Sequence, residues 1–203
     1  MLAFWALPGA VISARENTRP AAPDCLATGR CGDARDRAGH GNHGIVRGAG
    51  PAEGRFDGRG SFIEVPPSGS LNLAQSDFSM GSCTSSHLDA PADFRGTVFA
   101  MQGGQCVSHD RDLGPGWKHL AAVRRGERLE LYFNGSRKAE SAGLDQAAFD
   151  LSTNAPLRIG AGETDSFSGR IREVRLYRGA LSAREIRCLA EPHHLPESAS
   201  PTP

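Results

Sequence analysis

The clearest alternation of apolar and polar positions in the chain runs from residue 129 to residue 133. The apolar positions are Leu129, Leu131 and Phe133, with Glu130 and Tyr132 between them. This is the period-2 pattern of a half-buried strand. Asn134-Gly135 follows directly, and this pair favours a type I′ hairpin turn, whose central residues both need positive φ. A second apolar run, 120–123, comes before it, with Gly126 in the turn between. The pattern predicts three consecutive antiparallel strands.

Short strand candidates separated by turn residues continue on both sides of this meander, which favours an all-β fold. They are Ile45-Val46, 61–65, 78–80, 97–101, 105–108, 149–153, 157–159 and 170–177. Ser182 and Glu185 form a capping box, which predicts a helix of about two turns ending at Leu189. Segment 81–94 is expected to be poor in strand and weakly protected from hydrogen exchange, because it offers few apolar side chains.

The charge balance limits the partners that the chain is expected to have. The 23 basic and 23 acidic side chains cancel, whereas a general nucleic-acid-binding protein carries a basic excess. Nucleic acid is therefore not expected as a partner. No apolar run approaches the roughly 18 residues of a membrane-spanning helix, so no membrane span is predicted.

The folded domain is predicted over residues 25–190. Residues 1–24 are predicted to be an N-terminal tail or a signal-like segment, and the Pro-containing residues 191–203 a disordered tail. A short apolar stretch with a small-x-small ending in residues 1–14 favours an extracytoplasmic location. The lack of a positively charged start and the interruption by Pro8-Gly9 leave a cytoplasmic location open.

The five cysteines have no spacing that is typical of a metal site. They are Cys25, Cys31, Cys83, Cys106 and Cys188. Cys25 and Cys31 are placed to close a small loop disulfide if the protein is exported. Incidental thiols are an equal alternative, so the pairing stays open.

The sequence carries no recognisable catalytic signature. No serine lies in a Gly-x-Ser-x-Gly elbow, and no pair of carboxylates stands out as an acid and a base. The Gly160-x-Gly162 segment is not followed by a predicted helix, so it is not a dinucleotide-binding loop. We therefore predict that the chain has no enzyme activity of its own.

The order of these segments resembles that of laminin-G-like domains, which are concanavalin A-like, pentraxin-related lectin domains. The matching segments are 33–36 with 39–44, 56–58 leading to 62–66, 117–123, 131–135, 157–160, 167–177 and 180–186. The resemblance implies a two-sheet antiparallel β-sandwich, a concanavalin A-like jelly roll, with a short C-terminal helix. It covers residues 30–190 in family order.

Glycan binding is the function that the resemblance implies. We therefore predict a non-catalytic carbohydrate-binding or adhesion module, accessory to a hydrolase. The alternative is a structural domain that packs against a partner enzyme chain without binding a glycan. Sugars stack on exposed aromatic faces, so Tyr132 and Tyr177, on the mixed faces of their strands, are the candidate platforms. Arg158 and Arg175 are the candidates for contacting acidic sugars.

The resemblance also raises the question of a structural calcium ion. Calcium prefers carboxylate and carbonyl oxygens, and Asp57 in Phe56-Asp57-Gly58 is the candidate ligand, with Glu163 or Asp165 near it. However, Arg172 stands where many members have an aspartate that helps to bind calcium, and arginine is not a cation ligand. This favours the alternative that Asp57 stabilises its own turn.

Overall fold

The structure is a computed structural model that describes residues 2–5, 34–48, 54–86, 97–100, 106–109, 114, 116–143, 151–152, 154–162 and 166–191. The first strands are β1 (Leu2–Trp5), β2 (Ile45–Arg47), β3 (Arg55–Asp57), β4 (Phe62–Val65), β5 (Phe78–Ser86) and β6 (Thr97–Ala100). The others are β7 (Cys106–His109), β8 (Lys118–Arg125), β9 (Arg128–Phe133), β10 (Ser136–Glu140), β11 (Leu157–Ile159) and β12 (Ser168–Arg178). A short 3-10 helix lies at Gly69–Leu71, and one α-helix, α1, at Ala183–Ala190.

One layer of the fold is a six-stranded antiparallel sheet in the order β10-β9-β8-β5-β12-β3. The predicted meander forms one side of this sheet, as β8, β9 and β10. Asn134 and Gly135 have φ values of 47° and 75° in the turn between β9 and β10. Both values are positive, as a type I′ turn requires, so the prediction of a tight hairpin is confirmed.

The other layer consists of two three-stranded sheets, β11-β4-β2 and β1-β6-β7. All pairings in the first are antiparallel, whereas β1 pairs parallel to β6. Inward-facing side chains of both layers join in one hydrophobic core, which includes Ile63 of β4, Val107 of β7 and Leu131 of β9. The architecture is therefore the predicted β-sandwich of jelly-roll type.

The structure differs from the sequence prediction at residues 81–86, which we expected to be poor in strand. They continue β5, which pairs with β8 on one side and with β12 on the other. Small residues suffice here because two neighbouring strands bind the backbone on both sides. The remainder of the predicted weak segment, 87–94, lies outside the described residues.

Three further elements differ from the prediction. Residues 55–57 form β3 at the edge of the large sheet, where no strand was predicted. Leu2–Trp5 form β1, although residues 1–24 were assigned to a tail. Leu151 and Ser152 belong to no strand, although a strand was predicted at 149–153. Residues 192–203 of the predicted C-terminal tail lie outside the described part of the chain.

Strand β12 contains an irregularity that decides where its side chains point. Its register with β5 shifts between Arg172 and Arg175, and Glu173 in this bulge has a φ of 55°. Val174 and Leu176 still face the core. The extra residue therefore places both Arg172 and Arg175 on the outer face of the sheet.

Candidate functional site

Helix α1 packs on the outer face of the large sheet and creates the surroundings of the site. The capping box predicted from the sequence is present: the Ser182 hydroxyl accepts a hydrogen bond from the Glu185 N–H at 3.3 Å, and the Glu185 carboxylate accepts one from the Ser182 N–H at 2.7 Å. Ile186 of the helix is fully buried against the sheet. A second hydrophobic cluster results, made of Ala121, Val123, Tyr132, Tyr177, Leu181 and Ile186.

The hairpin turn touches the helix at Gly135. A Cβ atom added to Gly135 would lie 3.0 Å from the Arg187 Cα and 3.4 Å from the Ala190 Cβ. The distance to the Arg187 Cα is shorter than carbon contacts normally are, so a side chain at this position would push the helix away. Glycine therefore serves the turn conformation and the helix packing together.

The expectation that Tyr132 and Tyr177 lie on exposed faces is wrong. Their exposed fractions are only 5% and 4%, because helix α1 covers the face of the sheet that carries them. An aromatic platform for a sugar must have one ring face in solvent. The structure therefore gives neither ring the exposure that its predicted role requires.

A groove of about 560 Å³ lies between the hairpin and the start of the helix. Its floor includes Glu130 and Tyr132 of β9, and its walls come from β8, β10 and α1. The side chains that give it its chemistry are Arg125, Glu130, Tyr132, Ser136, Arg137, Ser182 and Arg187. Hydroxyl, carboxylate and guanidinium groups thus converge in one concave site.

Glu130 is the centre of the polar network in this groove. Its side chain is only 6% exposed, and its carboxylate accepts hydrogen bonds from the Tyr132 hydroxyl at 2.8 Å and from Arg125 Nε at 3.3 Å. Arg137 Nη1 lies 3.6 Å from the same carboxylate. Buried charges need such partners, so Glu130 fixes the positions of both arginines.

Two of the three arginines in the groove have further partners. Arg125 Nη2 donates to the Leu181 carbonyl at 2.9 Å, which connects β8 to the segment before the helix. Arg137 also pairs with Glu140. Arg187 is exposed, and within the described part of the chain it forms no ion pair. Three guanidinium groups and a single carboxylate therefore line the groove.

Burial has a clear effect on the phenol at the floor of the groove. Desolvation, followed by the hydrogen bond to Glu130 and the charge of that carboxylate, raises the pKa of Tyr132 to about 12. Burial also raises the pKa of Tyr177. Tyr132 is therefore a neutral hydrogen-bond donor at ordinary pH and holds the Glu130 carboxylate in place.

The two predicted arginine ligands, Arg158 and Arg175, lie on different faces of the sandwich. Arg158 lies over the Phe62 ring, 5.4 Å from its centre, on the outer face of the β11-β4-β2 sheet. Arg175 pairs with Glu173 at 2.8 Å on the outer face of the large sheet. The core separates them, so the structure does not bring them together in one site.

The predicted calcium ligand Asp57 is engaged in its own turn. Its Oδ1 accepts hydrogen bonds from the Ser61 hydroxyl at 2.7 Å and from the Arg59 N–H at 2.8 Å. These bonds, the one from the Ser61 hydroxyl first, lower the pKa of Asp57. Glu163 and Asp165 lie outside the described residues. Among the residues that the structure does describe, no three His, Cys, Asp or Glu side chains converge on a common point.

Sequence reasoning did not find the three arginines of the groove. Arg125, Arg137 and Arg187 belong to β8, β10 and α1, and no motif connects them. The available signal was indirect: Glu130 occupies the same strand face as Tyr132, and a buried carboxylate requires cationic partners. The burial of Glu130 can be recognised only when it is known that helix α1 covers this face of the sheet.

Comparison with known proteins identifies the family. A laminin G family model, described as the concanavalin A-like lectin/glucanases superfamily, matches residues 83–187, more than half of the chain. The chain belongs to this superfamily. The resemblance seen in the sequence is thereby confirmed. No curated protein matches the chain.

Several solved structures share the fold. Domain 4 of AbnA, a GH43 extracellular arabinanase from Geobacillus stearothermophilus solved with arabinotriose, has a TM-score of 0.55 at 21% identity, over 78% of this chain and 93% of that chain. A type C botulinum neurotoxin structure, described as depending on two ganglioside molecules for cell entry, has a TM-score of 0.56 at 12% identity, over 84% of this chain and 51% of that chain. The binding domain of Paraclostridial Mosquitocidal Protein 1 has a TM-score of 0.53 at 14% identity, over 77% of this chain and 48% of that chain. Identities this low show a common fold alone.

Among the described residues, no helix has the length and apolar character needed to cross a membrane.

Proposed function

We propose that this chain is a non-catalytic carbohydrate-binding module that accompanies a hydrolase. The single observation that carries the proposal is the groove between the β9–β10 hairpin and helix α1, where polar side chains of four elements converge. Membership of a lectin and glucanase superfamily supports it. So does the fold in common with domain 4 of AbnA, which was solved with arabinotriose.

The lining of the groove suits the hydrogen-bonding needs of a sugar. Ser136 offers a hydroxyl, which can both donate and accept, and the guanidinium groups of Arg137 and Arg187 offer donors in a planar arrangement. The Ser182 hydroxyl is instead engaged in the capping box, where it donates to the Glu185 carboxylate. The buried Glu130 carboxylate, held by Tyr132, fixes the geometry in advance. Prearranged polar groups lower the ordering cost of binding, and the volume of about 560 Å³ is that of a small-ligand site.

Affinity electrophoresis tests this proposal directly. The purified protein is run in gels that contain neutral or acidic polysaccharides, with calcium and then with a chelator. We expect retention in at least one gel. We also expect the chelator to leave it unchanged, because the one carboxylate that lines the groove, Glu130, is paired with Arg125 and Arg137 and does not make a set of oxygen ligands for a hard cation.

A pair of matched substitutions locates the site. Ala183 lines the groove and is exposed, so Ala183→Trp fills the groove and is expected to abolish retention. Ala142 is also exposed but does not line the groove, so Ala142→Trp is expected to leave retention intact. Equal loss in both variants, or retention by Ala183→Trp, would contradict the assignment of the groove.

Whether calcium binds at Asp57 is a separate question, which the chelator arm also tests. If Asp57 and the 163–165 loop bind calcium, adding the ion raises the melting temperature, because a ligand that binds only the folded state stabilises it. We expect no such shift, since Oδ1 of Asp57 already accepts hydrogen bonds from Ser61 and Arg59. A calcium-dependent shift that Asp57→Asn removes would establish the metal site.

A second candidate function is packing against a partner enzyme chain. Ile45 and Val46, in the edge strand β2, are the exposed large hydrophobic residues of the described chain, at 44% and 42%. An edge strand offers unpaired backbone groups to an extended segment of a partner. Packing against a partner is favoured over glycan binding if the protein melts cooperatively but is retained in no polysaccharide gel.

A further inference from the structure

The groove and its surroundings also indicate which class of glycan it takes. We propose that the ligand is an acidic glycan, whose carboxylate or sulfate group is bound by Arg187 together with Arg137. This inference rests on the proposed function and adds the charge of the ligand to it. Neither arginine was a candidate ligand on sequence grounds, and each comes from a different element of the fold.

The first argument is the charge balance of the groove. Arg125, Arg137 and Arg187 line the groove together with one carboxylate, Glu130, which pairs with Arg125 and Arg137. Arg137 also pairs with Glu140, which lies outside the lining. Arg187 has no ion pair within the described part of the chain. An exposed guanidinium beside a concave surface offers two parallel N–H donors, which match the two oxygens of a carboxylate or sulfate. The lining therefore has a positive charge that a ligand can compensate.

The second argument concerns the alternative way of binding sugars, which is stacking on an aromatic ring. Arg172 lies over the Trp117 ring at 3.8 Å from its centre, and Arg158 lies over the Phe62 ring at 5.4 Å. An arginine therefore already covers one face of each ring. Tyr132 and Tyr177 are buried. Among the described residues, these aromatic rings are therefore poorly available for stacking on a neutral sugar. The groove, in contrast, offers guanidinium groups to an anion.

The third argument is the rigidity of the cationic groups. Arg125 is fixed by Glu130 and by the Leu181 carbonyl, and Arg137 by Glu130 and Glu140. Arg187 projects from helix α1, whose backbone touches Gly135 of the hairpin. Arg137, held by two carboxylates, therefore loses little side-chain conformational entropy when an anionic group enters. The exposed Arg187 is held through its backbone alone. The folded domain therefore presents positively charged groups to an anion before the ligand binds.

The test compares polysaccharides that differ in charge alone. Polygalacturonate and its methyl ester have the same backbone, and so have dextran sulfate and dextran. We expect the protein to bind one or both of the charged forms and to bind the neutral partner at least about tenfold more weakly, with affinity that falls as salt rises. The two pairs distinguish a carboxylate ligand from a sulfate ligand.

Three arginine substitutions then test the site. Arg187→Gln and Arg137→Gln are each expected to weaken binding by about tenfold, which is the effect of losing one charge-assisted contact. Arg158→Gln removes the same charge on the opposite layer and is expected to change binding less than about twofold. All three arginines are exposed, and melting temperatures confirm that each variant is folded.

Each outcome decides one of the two proposals. Loss in the two groove variants alone supports the inference. Equal binding of charged and neutral forms overturns the inference and leaves the proposed function standing. Equal loss in all three variants means a diffuse charge effect and overturns the site. Binding of no polysaccharide, charged or neutral, overturns the proposed function itself.

Discussion

The guanidinium carbon of Arg172 lies 3.8 Å from the centre of the Trp117 ring, so the charge of the arginine faces the π-system. Strand β12 makes this contact possible, because Arg172 follows the inward-facing Ile171 and therefore lies on the outer face of the sheet. On the same strand Glu173 pairs with Arg175 at 2.8 Å.

We expect Arg172→Gln to lower the free energy of unfolding by about 1 kcal/mol, the usual size of a partly exposed cation–π contact. Urea denaturation of the variant measures this loss. Arg170→Gln, at an exposed position of the same strand, is the control and is expected to cost less than about 0.5 kcal/mol. In a double-mutant cycle with Trp117→Leu, most of this loss should appear as coupling energy between Arg172 and Trp117. Additive effects would contradict the stacking interaction.

A second prediction concerns the contact between the hairpin and the helix. Gly135→Ala should destabilise the protein by more than the about 1–2 kcal/mol that a left-handed backbone costs an alanine, because the new Cβ would lie 3.0 Å from the Arg187 Cα. Gly126→Ala is the matched control, since Gly126 also has a positive φ, 56°, but no atom within 4 Å of the added Cβ. Equal melting temperatures of the two variants would show that the helix does not press on the hairpin.

The loop at residues 36–42 gives a prediction at acid pH. Burial raises the pKa of Asp36, but hydrogen bonds from the N–H groups of Ala38, Asn42 and His40 outweigh this effect, and the net pKa lies below the ordinary 3.8. The folded state therefore favours the ionised form. The stability that Asp36 contributes is complete above the ordinary pKa and is lost as the pH falls through the lower, folded pKa.

Asp36→Asn tests this linkage. At neutral pH we expect it to cost about 2 kcal/mol, because hydrogen bonds to a charged acceptor are lost. As the pH falls below the ordinary pKa of 3.8, we expect the stability of the variant to depend less on pH than that of the parent. The exposed Glu127 is the control for removal of a surface carboxylate, as Glu127→Gln. An unchanged pH slope in Asp36→Asn would rule out the proposed role of the loop.

The features that were predicted correctly from the sequence are those that depend on neighbouring residues. The Asn134-Gly135 turn needs only its own backbone angles, and the Ser182–Glu185 capping box spans a single helical turn. The burial of Tyr132 was missed because it depends on helix α1, which lies about fifty residues further along the chain. The alternation around Tyr132 correctly indicated two different faces, but not which neighbour would cover the second one.

The groove was missed for the same physical reason. Two of its arginines, Arg125 and Arg137, are positioned by ion pairs with Glu130. The burial of Glu130 follows from the packing of α1 and cannot be seen in the sequence of its own strand. Segment 81–86 shows the converse case, in which a sequence poor in apolar residues becomes the central strand because β8 and β12 pair with it. Local sequence therefore predicted elements well, whereas the site depends on contacts between elements.

The last prediction uses the two tyrosines, which are the only ones in the chain. The pKa of Tyr132 is raised to about 12 by burial and by its hydrogen bond to Glu130. In the folded variant Tyr177→Phe, the phenolate absorbance should therefore appear well above the ordinary pKa of 10.0. Because the folded state retains the proton, the stability contributed by Tyr132 is complete below the ordinary pKa and is lost as the pH rises toward about 12.

Glu130→Gln is the matching variant for this titration. It removes the charge beside the phenol, so we expect the apparent pKa of Tyr132 to fall in the double variant with Tyr177→Phe, while burial keeps it above 10.0. Circular dichroism at each pH shows whether the protein is still folded when the phenol ionises. A titration midpoint near 10.0 in a folded Tyr177→Phe protein would mean that Tyr132 is exposed. It would also mean that helix α1 does not cover the sheet as described.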